Sequence, residues 1–172
     1  QIENLVNEFS DFARMPKPLF KPNNLNLIIK ENIGLVNKFD KTITIRLVNH
    51  LSKDVVLKFD NEQFNRLFFN LIKNSVESIQ EKAEKDSKTV KNIDIELRQR
   101  RDYINVNIID TGIGFKNKKT KDIIKPYFTT KEKGTGLGLS IVDKIISDHD
   151  GSIKFLNHKN GAKIQIIIPY IK

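Results

Sequence analysis

Residues 103–114 read YINVNIIDTGIG, an alternating apolar run that ends in a carboxylate and then in two glycines. Ile104, Val106 and Ile108 keep the two-residue period of a strand, so Asp110 closes the strand and Thr111-Gly112 turns the chain away. A carboxylate at the mouth of an apolar pocket accepts a hydrogen bond from an exocyclic amine such as that of adenine. Guanine offers a carbonyl at that place. A buried polar group left unpaired costs about 1–3 kcal/mol, enough to reject the wrong base. Taken alone, the same residues also suit a plain Asp-Thr-Gly turn.

Downstream, residues 134–140 read GTGLGLS and open a helix expected over Gly136–His149. Gly112, Gly114, Gly134, Gly136 and Gly138 thus gather five of the chain's eight glycines into two short segments. Glycine lets backbone approach a ligand closely, and the amides of such loops and of helix N-termini attract phosphate. Neither segment matches GxxxxGK[ST] or GxGxxG, which excludes a Walker loop and a Rossmann fingerprint.

Upstream, Asp60 suits the N-cap of a long helix reaching about Lys82, with Phe64, Leu67, Phe68, Leu71, Ile72, Val76 and Ile79 at helical spacing. At roughly 100° per residue, Asn70, Asn74 and Glu77 share a stripe rotated away from that apolar face. Side-chain carbonyls one turn apart beside a carboxylate suit Mg²⁺, which prefers oxygen ligands. Ordinary helix surface offers the same residues.

The remaining pattern predicts a helix over Leu25–Phe39 and strands over Thr42–Leu51, Val55–Phe59, Asn92–Arg100, Ser152–Asn157 and Ala162–Pro169. Hairpin turns are expected at Arg101-Asp102 and Asn160-Gly161. Helices and strands mix without strict βαβ alternation, which favours an α+β sandwich. Residues 1–15 form an amphipathic helix that Pro16, Pro18 and Pro22 cannot continue. Residues 16–24 read as a Pro-rich linker and 25–172 as the main domain.

At 172 residues the chain makes one domain with a substantial core. Its lack of cysteine excludes disulfides and thiolate chemistry, and no apolar run reaches the roughly 18–20 residues of a membrane span. Gln1-Ile2-Glu3 is no signal peptide and reads as an internal start. The net charge of +9 attracts something acidic, whether nucleotide phosphate, nucleic acid or an acidic protein. Charge alone does not choose, and a solvated basic face is the plain alternative.

Together these segments resemble the catalytic domain of the sensor histidine kinases. NLIKNSVES (70–78) is similar to their N box, DTGIG (110–114) to the G1 box, PYFTTK (126–131) to the F box and GTGLGLS (134–140) to the G2 box. NGAKIQIIIP (160–169) resembles the closing strand. The resemblance covers residues 60–169, and FSDFARMPKPLFKPNNL (9–25) extends it toward nitrogen-regulation sensors of the NtrY and NtrB kind. It implies the Bergerat fold shared with DNA gyrase, Hsp90 and MutL. That fold is a two-layer sandwich whose mixed, mostly antiparallel sheet carries helices on one face.

The resemblance further implies ATP and Mg²⁺ as ligands. Asn74 would hold the metal with Asn70 supporting it and Glu77 beside them, while Asp110 would take the adenine amine above Gly112 and Gly114. Gly134, Thr135, Gly136, Leu137 and Gly138 would cradle phosphates, Lys131 would supply a cation, and 115–133 would form a lid. ATP-hydrolysing relatives place a glutamate base where this chain has Asn70. Asparagine cannot take a proton from water, whereas a neutral imidazole needs little base, so transfer to histidine is favoured. Ser75 stands where the family often has alanine, a mild change.

None of His50, His149 or His158 fits the setting of the family's phosphoacceptor, and no route from His50 or His158 to the nucleotide is expected. The acceptor would lie on a dimerisation hairpin of the parent protein, of which residues 1–15 match one helix end. A response regulator is the implied partner, dimerisation belongs to the parent, and no nucleic acid is expected. The implied place is the cytoplasm, with a parent anchored in the inner membrane. A serine kinase or ATPase of the same superfamily, and a basic nucleic-acid-binding module, are the alternatives.

Overall fold

The computed structural model describes residues 2–53, 55–116, 118–125 and 137–169. Helix α1 (Ile2–Ala13) ends before the prolines, and exposes Ile2, Val6 and Phe9. Strand β1 (Lys21–Asn23) follows, then α2 (Leu25–Val36), β2 (Thr44–His50), β3 (Leu57–Phe59) and the long α3 (Asn61–Lys85). The chain continues through β4 (Asn92–Gln99), β5 (Tyr103–Asp110), the short α4 (Thr120–Ile123), α5 (Gly138–Asp148), β6 (Ser152–His158) and β7 (Gly161–Pro169).

Five strands form one sheet in the order β2-β4-β5-β7-β6, and β1 pairs with β3 in a separate two-stranded ribbon. All pairs in the large sheet are antiparallel except β2 with β4, which run parallel across the β3–α3 crossover. The expected α+β sandwich is therefore the observed fold, with α2, α3 and α5 on one face. Alternation explains the layering: Ile104, Val106 and Ile108 of β5 and Ile164, Ile166 and Ile168 of β7 point to the helices. Each such side chain contributes about 1.5–3 kcal/mol relative to exposure. Phe64, Leu67, Phe68, Leu71 and Ile72 meet them from α3, whose N-cap is Asp60 accepting from the Gln63 N–H.

Several boundaries differ from the sequence expectation. Strand β1 lies inside the Pro-rich stretch, because Pro22 is tolerated in an edge strand where no ladder N–H is required. Helix α3 runs to Lys85, α2 stops at Val36, and β2 starts at Thr44. The Lys-rich segment after Gly114 is better anchored than its composition implies. Ile123 is 1% exposed, and Thr120 Oγ1 accepts the Phe155 N–H of β6 at 3.0 Å. The F-box segment, and the start of the expected helix at Gly136, lie outside the described residues.

Candidate functional site

Strand β5 carries Asp110 to the edge of the helical layer, where β4 and β7 flank it at Ile93 and Ala162. The carboxylate is 4% exposed. Its Oδ1 accepts the N–H groups of Gly112 (2.9 Å) and Ala162 (3.2 Å), and its Oδ2 accepts the Ser75 hydroxyl of α3 (2.9 Å). Burial pushes the Asp110 carboxyl above its ordinary range. The donors from Gly112, Ser75 and Ala162, and the charge of Lys82, oppose that shift. Lys82 in turn donates to the Thr111 and Asn160 carbonyls, tying the β5 turn to the β6–β7 turn.

Gly112 is required by close approach. A Cβ built there would lie 2.1 Å from Ser78 Oγ and 2.9 Å from the Ser78 carbonyl carbon. The same hydroxyl accepts the Ile113 N–H at 3.0 Å, so α3 and the turn are pressed together. Gly114 adopts φ +70°, a left-handed conformation that glycine takes without strain, and Asn157 Oδ1 then accepts the Phe115 N–H.

Asn70 and Asn74 sit half-buried one turn apart on α3, with Glu77 following and its Oε1 3.8 Å from Lys73. Asn70 Nδ2 donates to the Arg66 carbonyl, leaving its Oδ1 toward the start of α5, where a Cβ on Gly138 would lie 3.4 Å away. A helix N-terminus and an amide oxygen thus face the same space. Helix α5 starts from Leu137, which is itself buried. An amide oxygen is the ligand type Mg²⁺ takes, and a helix start attracts the phosphates it accompanies, so the residues present fit that ion with a nucleotide.

The structure thus brings together Asp110, Gly112 and Gly114 at one end of α3's contact with the sheet, and Asn70 with Gly138 further along the same helix. Lys131, Gly134, Thr135 and Gly136 lie outside the described residues. Sequence reading missed Ser78, Lys82, Asn157 and the Ala162 amide, and treated Ser75 as a mild change although its hydroxyl holds Asp110. Small polar residues inside the apolar stripe of α3 were the available signal. Of the histidines, His158 ends β6 opposite Gly161, at the same end of the sheet as Asp110. His50 lies at the other end.

Residues 59–172 match the family of histidine kinase-, DNA gyrase B- and HSP90-like ATPases. The chain is 31% identical over 160 residues to nitrogen regulation protein NtrY of Azorhizobium caulinodans, covering 93% of this chain and 20% of that protein. It is 32% identical over 166 residues to a putative NtrY-like sensor histidine kinase of Rickettsia typhi, covering 96% and 26%. The chain therefore spans about a quarter or less of these relatives. Among solved structures, the nucleotide-free catalytic domain of histidine kinase ThkA superposes with TM-score 0.74 at 29% identity, covering 88% of this chain and 96% of that one. ThkA in complex with response regulator protein TrrA gives 0.77 at 25%, covering 99% and 47%. No described helix is long and apolar enough to cross a membrane. Motif order, buried carboxylate and sheet topology agree with these matches: the chain belongs to the histidine kinase-, DNA gyrase B- and HSP90-like ATPase family, as an ATP-binding catalytic domain of the sensor histidine kinase type.

Proposed function

We propose that this domain binds Mg·ATP and delivers the γ-phosphoryl group to a histidine carried elsewhere in its parent protein, for relay to a response-regulator aspartate. The observation that carries this reading is Asp110, a buried carboxylate held by two backbone N–H groups and a hydroxyl at the rim of the helical layer. Asp110 accepts from the adenine amine while Gly112 and Gly114 shape the floor. Phosphates extend along α3 toward the start of α5, at Leu137 and Gly138. Gly134, Thr135, Gly136 and Lys131 complete that cradle, with 115–133 as the lid. Asn74, supported by Asn70 and with Glu77 beside them, would hold Mg²⁺, which would neutralise phosphate charge.

Asn70 cannot serve as a base for water, which supports an imidazole acceptor over hydrolysis. Catalysis then consists of positioning and charge neutralisation. Residues 1–15 are the end of a hairpin helix, 16–24 the linker and 25–172 the catalytic domain. The hairpin makes the parent a dimer, and the domain works in the cytoplasm beneath an inner-membrane anchor. No nucleic-acid partner is proposed.

His149 cannot accept a phosphoryl group while both its ring nitrogens are engaged, at Asp60 N–H and the Ile145 carbonyl. Calorimetry should give ATP binding that depends on Mg²⁺ and exceeds GTP binding; equal affinities contradict the Asp110 assignment. Incubation with γ-labelled ATP should leave the chain unlabelled until a hairpin fragment bearing the parent's histidine is added. Acid-labile label on this chain alone, abolished in His158→Gln, would instead name His158 as the acceptor.

A further inference from the structure

An ionised carboxylate offers about four acceptor positions, two on each oxygen. At Asp110 both positions on Oδ1 are filled, by Gly112 N–H at 2.9 Å and Ala162 N–H at 3.2 Å. One position on Oδ2 is filled by the Ser75 hydroxyl at 2.9 Å. Ser75 is 2% exposed, so water does not compete for this contact. Among the described residues, a donor arriving at Asp110 finds a single acceptor position, on the oxygen that Ser75 holds.

We propose that Ser75 is a positioning residue for base recognition, fixing Asp110 Oδ2 so that one acceptor position meets one N–H of the adenine amine. The inference rests on the reading of Asp110 as the adenine-binding residue. Ser75 acts through Asp110 and does not itself touch the base. Its O–H also opposes protonation: a proton on Oδ2 would turn that oxygen into a donor, which the adenine amine cannot accept. Burial pushes the carboxyl up, and Lys82 is the described charged side chain that opposes it alongside the hydrogen bonds. Losing the Ser75 donor tips that balance toward the proton.

The test uses the full chain, following the Asp110 carboxyl carbon by NMR across pH without nucleotide, in wild type, Ser75→Ala and Ser75→Cys. Calorimetry with Mg·ATP and Mg·GTP at pH 5.5 and 8 accompanies it. Ser75→Ala should raise the Asp110 midpoint by roughly one pH unit, the value of one charge-assisted hydrogen bond. Ser75→Cys, with similar volume and a weaker donor, should fall between. ATP affinity of Ser75→Ala should drop about tenfold at pH 5.5 and less at pH 8, with a narrower preference over GTP. An unmoved midpoint in a Ser75→Ala variant that melts like wild type overturns the proposal alone. Failure of wild type to bind ATP overturns the reading beneath it as well.

Discussion

Asp110 and His149 are both buried ionisable side chains, 4% exposed each, at opposite ends of the sandwich. His149 follows α5 and is fully engaged. Its Nε2 accepts the Asp60 N–H at 3.0 Å, which assigns the proton to Nδ1 facing the Ile145 carbonyl at 2.7 Å, and its ring packs between Phe20 and Phe64. The same corner fastens the Pro-rich stretch, through Leu19 N–H on Asp60 Oδ2 and Gln63 on the Pro16 carbonyl. Among the described residues, Asp110 is engaged on three of its acceptor positions and keeps a fourth. A buried group with every bond made holds a fold together, whereas one left a partner short has capacity for a ligand.

The sharpest way to break this contrast is to exchange the consequences of mutation. Asp110→Asn should lower ATP affinity about 100-fold by calorimetry, because the amide can present a donor to the adenine amine. His149→Gln should leave that affinity within about twofold; the reverse ranking would abolish the distinction.

Gly161→Ala should destabilise the domain by about 2–3 kcal/mol in urea unfolding, since a Cβ there would lie 2.0 Å from the Asp110 carbonyl oxygen. Ligand-free stability, rather than affinity alone, should reveal this change. His149→Ala should cost about 1–2 kcal/mol, chiefly by leaving the Asp60 N–H without its acceptor.

The smallest expected effect is in the pH dependence of stability, and its sign differs between the two groups. Burial pushes the His149 pKa down, so its contribution is present above the unfolded value of about 6.5 and lost as pH falls below it. Burial pushes the Asp110 pKa up, so its contribution is present below the unfolded carboxylate value, about 4, and lost as pH rises through the folded value. Relative to wild type, His149→Gln should therefore gain stability in acid, and Asp110→Asn should gain it toward neutral pH. Unfolding midpoints across pH 4–8 that move in the same direction for both variants would contradict these assignments.

Strand β5 was readable from Tyr103 to Asp110 because its alternation and closing carboxylate are local signals, and Asp60 declared itself by capping an apolar helical repeat. Asn70 and Asn74 were legible by spacing on that helix. The parallel pairing of β2 with β4 was not, because it joins Thr44 to Asn92 across a crossover and leaves no mark on either strand. Ser75's role required knowing that α3 sets it against the end of β5. Ala162 contributes through its backbone, which no side-chain pattern announces. Helix α4 spans a single turn, too short for periodicity to emerge among lysines.

The bond from Ala162 to Asp110 also fixes when the site can exist during synthesis. The two residues are 52 apart, an interval of roughly 3–10 s at about 5–20 residues per second. Until β7 is made, β5 is an open edge beside β4, exposed to wrong partners, and its terminal carboxylate lacks one of its two backbone donors. Nucleotide stabilises only a state that can bind it, so ATP cannot guide the nascent domain and acts as a stabiliser only once β7 has been made.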